Sequence, residues 1–369
     1  MADYILLERL QVENANAIAG FTYGFPAVTA FLGFEHALSR KLKNLIDIEL
    51  NGCAIFCHDY VVNHYVVNHY VANHYQNAYT KFIQNRHPPS TLKGKSNDAK
   101  KPAPIIEEGK MDMTVSVLLR CQGTLSNNSE RVASYHQTIK NLVYQSRLAG
   151  GSIKKLTNIH LLSDSDKLLN HLKHILLPSF VLMDATRLLQ EHFDNIQIEH
   201  GENTNQSLLD IWTDFFAFKE MAIKQEQTEE ISWQRHVPSN KQGWIVPLMI
   251  GYKGISPLYE PEQVENLRDT RYPFRFVEAV HGLGEWQSVH RIHSLDSLFW
   301  QYQVENEWYL CQQNSTSQSQ IHPLKDNPLK DNPLKDNPLK GNPSKNNPSE
   351  DKSHSLDDLF DDLFGNSSI

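Results

Sequence analysis

The feature that most constrains this chain is a change of hydrophobic period that repeats within its first 163 residues. Residues 4–12 are apolar and rich in β-formers, and residues 26–42 then place apolar side chains at helical spacing, with Pro26 suited to a first helical turn. Residues 46–60 read as a second strand, and after a polar stretch residues 111–121 alternate as a third. Residues 129–148 return to the helical period, Gly150-Gly151 stop that helix, and residues 152–162 read as the last strand. The predicted order is βαββαβ, the α+β, ferredoxin-like arrangement shared by RNA-recognition domains. Many functions use that arrangement, so the chemistry has to be argued from particular residues.

The rest of the chain is organised differently. Residues 61–75 are three tandem pentads, VVNHY, VVNHY and VANHY, and a five-residue period matches neither a helix nor a strand. His64, His69 and His74 therefore form no ready metal cage, and the pentads read as an expanded loop opening a basic insertion over about 61–110. Beyond residue 163, helices are expected over 164–175, 184–193 and 206–227, and a strand over 244–254. Stretches 274–280 and 308–311 are expected to close a second sheet. Residues 322–369 carry PLKDN repeats and end in LDDLFDDLF; that Pro-, Lys- and Asp-rich composition builds no core and predicts a disordered tail ending in a short peptide ligand. The expected division is 1–163, 164–321 and 322–369.

A net charge of −8 argues at first against a nucleic-acid partner, but its distribution reverses that reading. Residues 184–230 hold eleven acids and three bases, whereas residues 131–155 hold five bases and no acid. Phosphate binding needs a local positive field, which the second stretch supplies. No apolar run is long enough to span a membrane, and Met1-Ala2-Asp3-Tyr4 lacks the features of a secretory signal. Cys53, Cys57, Cys121 and Cys311 form no C-x-x-C pair and read as reduced thiols of a cytoplasmic protein. Cys53, Cys57 and His58 offer a weak alternative as a zinc site; otherwise no metal or cofactor is expected.

Three clusters carry candidate chemistry. In the loop after the first strand, Gly20 and Gly24 permit close backbone approach, Asn14 and Asn16 carry amides for base edges or sugars, and Phe21, Tyr23 and Phe25 are rings for stacking on unpaired bases. The alternative is a long loop whose aromatics pack beneath it. In the second, Arg147, Gly150 and Gly151, with Lys154 and Lys155 nearby, present N–H groups and cations to a phosphate, or simply end a helix. The third runs from Tyr272 through Arg275, Glu278, His281 and Trp286 to His290 and Arg291. His281 or His290 suits general acid–base work, yet no nucleophile or metal set accompanies them, and neither G-x-x-x-x-G-K-[ST] nor H-E-x-x-H occurs.

At these clusters the sequence resembles the Csy-two (Cas-five type) subunits of type I-F CRISPR surveillance complexes. The resemblance rests on NANAI at 14–18, GFP at 24–26, FLGF at 31–34 with HAL at 36–38, DIEL at 47–50, RLAGG at 147–151, FRFVE at 274–278, and GEW at 284–286 with His290-Arg291. It spans residues 4 to about 311 and leaves out the pentads and the tail. It implies a ferredoxin-like core of the repeat-associated RNA-binding type and a non-catalytic subunit that grips the 5′ handle of the crRNA. Implied partners are the large subunit, the repeated backbone subunit and, through the assembled complex, target DNA. Asn14, Asn16, Gly20, Tyr23, Gly24, Arg147, Gly150, Gly151, Lys154, Lys155, Arg275, Trp286 and Arg291 are the candidate RNA contacts. Two other functions stay open: an endoribonuclease of the same fold superfamily using His281 or His290, and a protein-docking adaptor suggested by the acidic 184–230 stretch.

Overall fold

The computed structural model describes residues 3–70, 76–86, 105–123, 125, 128–200, 207–224, 231–264, 267 and 269–313. The tail over 322–369, the third pentad and the middle of the basic insertion lie outside the described residues, and with them the expectations made for those stretches.

The chain opens with β1 (Asp3–Asn16), a small hairpin of β2 (Ile18–Ala19) and β3 (Thr22–Tyr23), and helix α1 (Val28–Ile46). β4 (Glu49–Asn63) leads into two paired arms, β5 (Tyr65–Tyr70) with β6 (Gln76–Lys81) and β7 (Ile83–Arg86) with β8 (Ile105–Glu108). β9 (Lys110–Gln122), helix α2 (Ser129–Tyr144), β10 (Arg147–Leu148), β11 (Gly151–Lys155) and β12 (Asn158–Ser163) follow. In space β11 and β12 lie beside β1, β1 beside β9 and β9 beside β4, every neighbour antiparallel.

Alternation explains which face each strand buries. Ile5, Leu7, Leu10 and Val12 of β1 join Phe31, Leu38 and Leu42 of α1 and Ile139 and Val143 of α2 in one core. Tyr4 and Leu6 point the other way, into a second core. The step from Leu7 to Leu10 breaks strict alternation, and the ladder shows why: the register shifts there, Arg9 takes a positive φ of 49°, and its N–H donates to Ser116 Oγ at 2.9 Å. The Asn128 side chain caps α2 by accepting from the Glu130 N–H at 2.9 Å.

The second half comprises α3 (Leu168–Leu176), β13 (Phe180–Asp184), α4 (Thr186–His200), α5 (Leu208–Thr213), β14 (Lys219–Lys224), β15 (Ile231–His236), β16 (Ile245–Gly254), β17 (Val277–Ser288), β18 (Trp300–Glu305) and β19 (Trp308–Gln313). Leu168, Leu172 and Leu176 of α3 cover the second core. The expected second sheet does not form. β13 pairs with β4 at Val181↔Phe56; β17, β16, β19 and β18 continue in that order; and β18 returns to β4 at Trp300↔Cys53. Five strands thus run from β4 back to β4, and both halves share one antiparallel sheet.

Three local expectations also change. The helix expected to end at Leu148 stops at Tyr144, because Arg147 and Leu148 pair with Ser152 and Gly151 in a tight hairpin. Among the described residues of the helix expected over 206–227, only α5 is helical, begun by a capping box between Ser207 and Asp210. Beyond it, Phe218, Met221 and Ile223 sit among Lys219, Glu220 and Lys224, and this stretch pairs as β14 with β15. The first pentads are extended, ending β4 and supplying β5, since paired Val and Tyr favour strand over loop.

Candidate RNA interface

The first wall of the site is built where β1 ends. Asn14 adopts φ 57°, and its N–H donates to Asp112 Oδ1 at 2.8 Å. The Asn16 side chain closes the next turn on itself: Nδ2 donates to the Ile18 carbonyl at 2.7 Å and Oδ1 accepts from the Ile18 N–H at 3.2 Å. Gly20, at φ 64°, turns the β2–β3 hairpin, and a Cβ there would lie 2.5 Å from His281 Nε2. The three aromatics of this loop have different fates. Phe21 covers His281 at 4.0 Å between ring centroids, yet its side chain is 66% exposed. Tyr23 is exposed and edges onto Phe82. Phe25 turns inward against Phe31 and Trp286. Gly24, at φ 139°, has open space around its α-carbon.

The second wall is the β10–β11 hairpin. Ala149 and Gly150 both have positive φ, 50° and 75°, as a type I′ turn requires. Gly151 is held by a different constraint: a Cβ would stand 2.7 Å from the Glu13 carbonyl and 2.8 Å from the Ala15 nitrogen, so a side chain here would drive β11 off β1. Beyond the β1–β11 ladder, a hydrogen bond from the Asn16 N–H to the Ala149 carbonyl at 2.8 Å joins the two walls. Arg147 is exposed and spans its own turn, with Nη1 donating to the Gly150 carbonyl at 3.3 Å.

Between these walls and α1 lies a cleft of about 910 Å³. Asn16, Gly20, Arg147 and Gly150 line it, together with Lys41, Tyr252 and Tyr309. Lys41 and Arg147 are cations, and among the described residues no carboxylate lines the cleft, although the chain as a whole is acidic. The α1 side is Ala27, Ala30, Gly33 and Ala37, small residues at helical spacing that leave the groove open. Burial raises the pKa of the Tyr309 phenol, with smaller pushes from Cys311 and Tyr252, so the hydroxyl stays a neutral donor at neutral pH. Lys41, Tyr252, Tyr309 and the small stripe were missed in the sequence. The stripe has a readable signal in its spacing, whereas the tyrosines lie on distant strands that only the closed sheet brings near.

The remaining candidates fall elsewhere. Lys154 leaves the cleft to pair with Glu13 at 3.3 Å, and Lys155 is exposed outside it. Trp286 is 6% exposed and packs in the core beside Phe25 and Trp244. Arg275 packs against Gly254 with a buried Nε that has no hydrogen-bond partner among the described residues, and Arg291 sits in the turn after β17; neither lines the cleft. His281 is half-buried beneath the hairpin, where Nε2 meets the Ala19 carbonyl at 3.3 Å; burial lowers its pKa, partly offset by that bond. His290 shares a hydrogen bond with Ser288 on the exposed turn, well along the strand from His281. His58 engages the Pro178 carbonyl and Ser116 Oγ with its two ring nitrogens, and the four cysteines are buried free thiols. Among the described residues no cluster of three metal-ligating side chains occurs, and no helix is long and apolar enough to cross a membrane.

Comparison with known proteins covers the same stretch that forms the sheet. Residues 5–311 match the family described as CRISPR-associated protein (Cas_Csy2). The chain is also 34% identical over 317 residues to the CRISPR-associated protein Csy2 of Pseudomonas aeruginosa (strain UCBPP-PA14), covering 82% of this chain and 91% of that protein. The match begins in β1 and ends in β19, so it takes in both walls of the cleft and the strands that carry its tyrosines. The chain therefore belongs to the Csy2 family of CRISPR-associated proteins, the subunits of type I-F systems.

Proposed function

We propose that this chain is the non-catalytic subunit that grips the 5′ handle of the crRNA, and that the cleft between the Asn14–Pro26 loop and the β10–β11 hairpin is where it does so. The observation that carries the reading is the composition of that cleft among the described residues: two cations, two tyrosines, turned glycine backbone and no carboxylate, in a chain of net charge −8. The strand order supports a ferredoxin-like core of the RNA-binding type. The strands corresponding to βαββαβ stand in the order fourth, first, third, second, with α1 and α2 packed on one face. A single strand bound here would set phosphates against Lys41 and Arg147 and rest unpaired bases on Tyr252 and Tyr309.

The endoribonuclease alternative needs an accessible base beside the scissile 2′-OH. His281 lies under Phe21 and is bonded to the Ala19 carbonyl, and His290 stands apart from it. A docking role has an observation of its own. On the β14–β15 hairpin and the residue before it, Phe218 is 86% and Trp233 68% exposed, beside exposed Met221 and Ile231. We assign that surface to contact with the large subunit, alongside RNA binding. Replacing both Lys41 and Arg147 by Ala in the assembled complex should weaken guide binding at least tenfold while the subunit still co-purifies. Unchanged guide affinity in that double variant would refute the cleft as the RNA site.

A further inference from the structure

A second cavity opens on the opposite flank of α1. It measures about 570 Å³, within the range of about 300–1,000 Å³ usual for small-ligand sites. Its wall contains Glu35, which is only 4% exposed although it carries a carboxylate. Among the described residues, the single hydrogen bond to that carboxylate is a long one, 3.4 Å, from the Gly52 N–H, and no cation pairs with it. A carboxylate has room for about four acceptor contacts, so most of its capacity faces the cavity unused. Around it stand the amides of Asn51, Gln122 and Gln301, with Arg40 at the rim. The two flanks are joined by a row of rings. Tyr252 and Tyr309, which line the cleft, lead to Tyr302 at 5.3 Å from Tyr309, and Tyr302 leads to the exposed His36 at 5.9 Å, within 10° of parallel.

We propose that this cavity is a guanine subsite: Glu35 accepts the two adjacent N–H donors on the Watson–Crick edge of one unpaired guanine, and Arg40 takes a phosphate of the same nucleotide. The other bases fail on chemistry. Adenine and cytosine each set one donor beside an acceptor, and uracil sets one donor between two acceptors, so each turns a lone pair toward the carboxylate. A base built to meet such a site is separated strongly from one that leaves buried groups unpaired. The aromatic row makes the source a strand threading on from the cleft, and in this respect the inference rests on the RNA-binding reading above. A protein guanidinium would also pair with Glu35, but it would have to pass Arg40 at the rim, where Lys43 is already paired with Asp47 and Glu49. The raised pKa of Glu35, at about 7, fits a carboxylate whose partner is missing; burial is its main cause, eased slightly by the Gly52 N–H.

The test titrates the full chain, in its assembled form, with 5′-GMP and 5′-AMP, and then with short single-stranded RNAs that differ by one guanine for adenine. GMP should bind about tenfold or more tightly than AMP, the guanine-containing RNA should show at least the same preference, and Glu35→Gln should abolish both. Arg40→Ala keeps the test open if Glu35→Gln fails to fold: it should weaken GMP and AMP alike while leaving the guanine preference. Preference for GMP without preference for the guanine-containing RNA would mean a free-nucleotide site and overturn the threaded strand. Equal affinity for GMP and AMP, or displacement of neither by RNA but of both by arginine amide, would overturn the subsite. Arg147→Ala should leave the GMP preference intact, so loss of the cleft reading and loss of the guanine subsite are separate results.

Discussion

The two flanks of α1 are made from one helix, yet they solve opposite problems. On the cleft side Ala30, Gly33 and Ala37 keep the helix thin, and the charges, Lys41 and Arg147, stand at the solvent edge. On the other side Glu35 is carried inward beside buried Ser39, whose Oγ accepts the Leu50 N–H at 2.9 Å. An exposed cation costs little to keep and reads only the phosphate; a buried carboxylate costs stability and, in return, can discriminate. On the two readings we propose, the contrast is between a grip indifferent to sequence and a site able to choose a base.

The largest expected effect removes what both flanks share. Phe31 is fully buried on the inner face of α1, stacked on Phe25, and Phe31→Ala should cost about 3–5 kcal/mol in urea unfolding. Guide binding and any guanine preference should be lost together. If only one is lost, the flanks are independent of the helix packing and the comparison is wrongly drawn.

The next effect falls on one flank alone. The Glu35 carboxyl titrates at about 7 in the folded chain against an ordinary 4.5, so the folded state holds its proton longer than the unfolded state. Its contribution to stability is fully present below pH 4.5 and is lost as pH rises through 7, a change of about 3 kcal/mol. Glu35→Gln should therefore gain about 1–3 kcal/mol over wild type at pH 8 and nothing comparable at pH 4.5. Unfolding curves at the two pH values check this, and a variant less stable than wild type at pH 8 would contradict it.

The third prediction concerns the hairpin wall. Gly151→Val places a side chain where the Glu13 carbonyl and Ala15 nitrogen already stand, and should cost about 1–3 kcal/mol and lower guide affinity by separating β11 from β1. Gly150→Ala is the control, since its α-carbon faces open space and only its positive φ is strained. Stability curves for the two should separate; equal losses would show that turn strain, rather than the strand contact, governs this wall.

Much of this arrangement was legible in the sequence, for identifiable reasons. β1, α1, β9 and α2 announced themselves because each is long and rich in apolar residues, the helices at a clear helical period. The convergence of the glycine loops followed from the expected strand order, since the end of β1 lies beside the start of β11. What the sequence hid depends on distant pairings. Trp286 reads as a ligand-facing aromatic in a cluster of Arg and His, and only the closure of β17 against β13 and β16 shows it as core. Tyr252 and Tyr309 are 57 positions apart and become neighbours through the β16–β19 ladder, where their α-carbons are partners. Glu35 sits mid-helix among apolar residues, where nothing local distinguishes a buried acid from an exposed one.

The smallest effect is the most direct test of the central claim, that the cleft holds the guide by its phosphates. Guide-RNA affinity is measured across a salt series for the complex carrying wild-type chain or Arg147→Ala, with circular dichroism as a control for folding. Loss of one phosphate contact should reduce the slope of log affinity against log salt by about 0.7, and weaken binding most at low salt. Parallel lines of equal affinity would mean that Arg147 touches no phosphate and that the cleft is not where this subunit holds its guide.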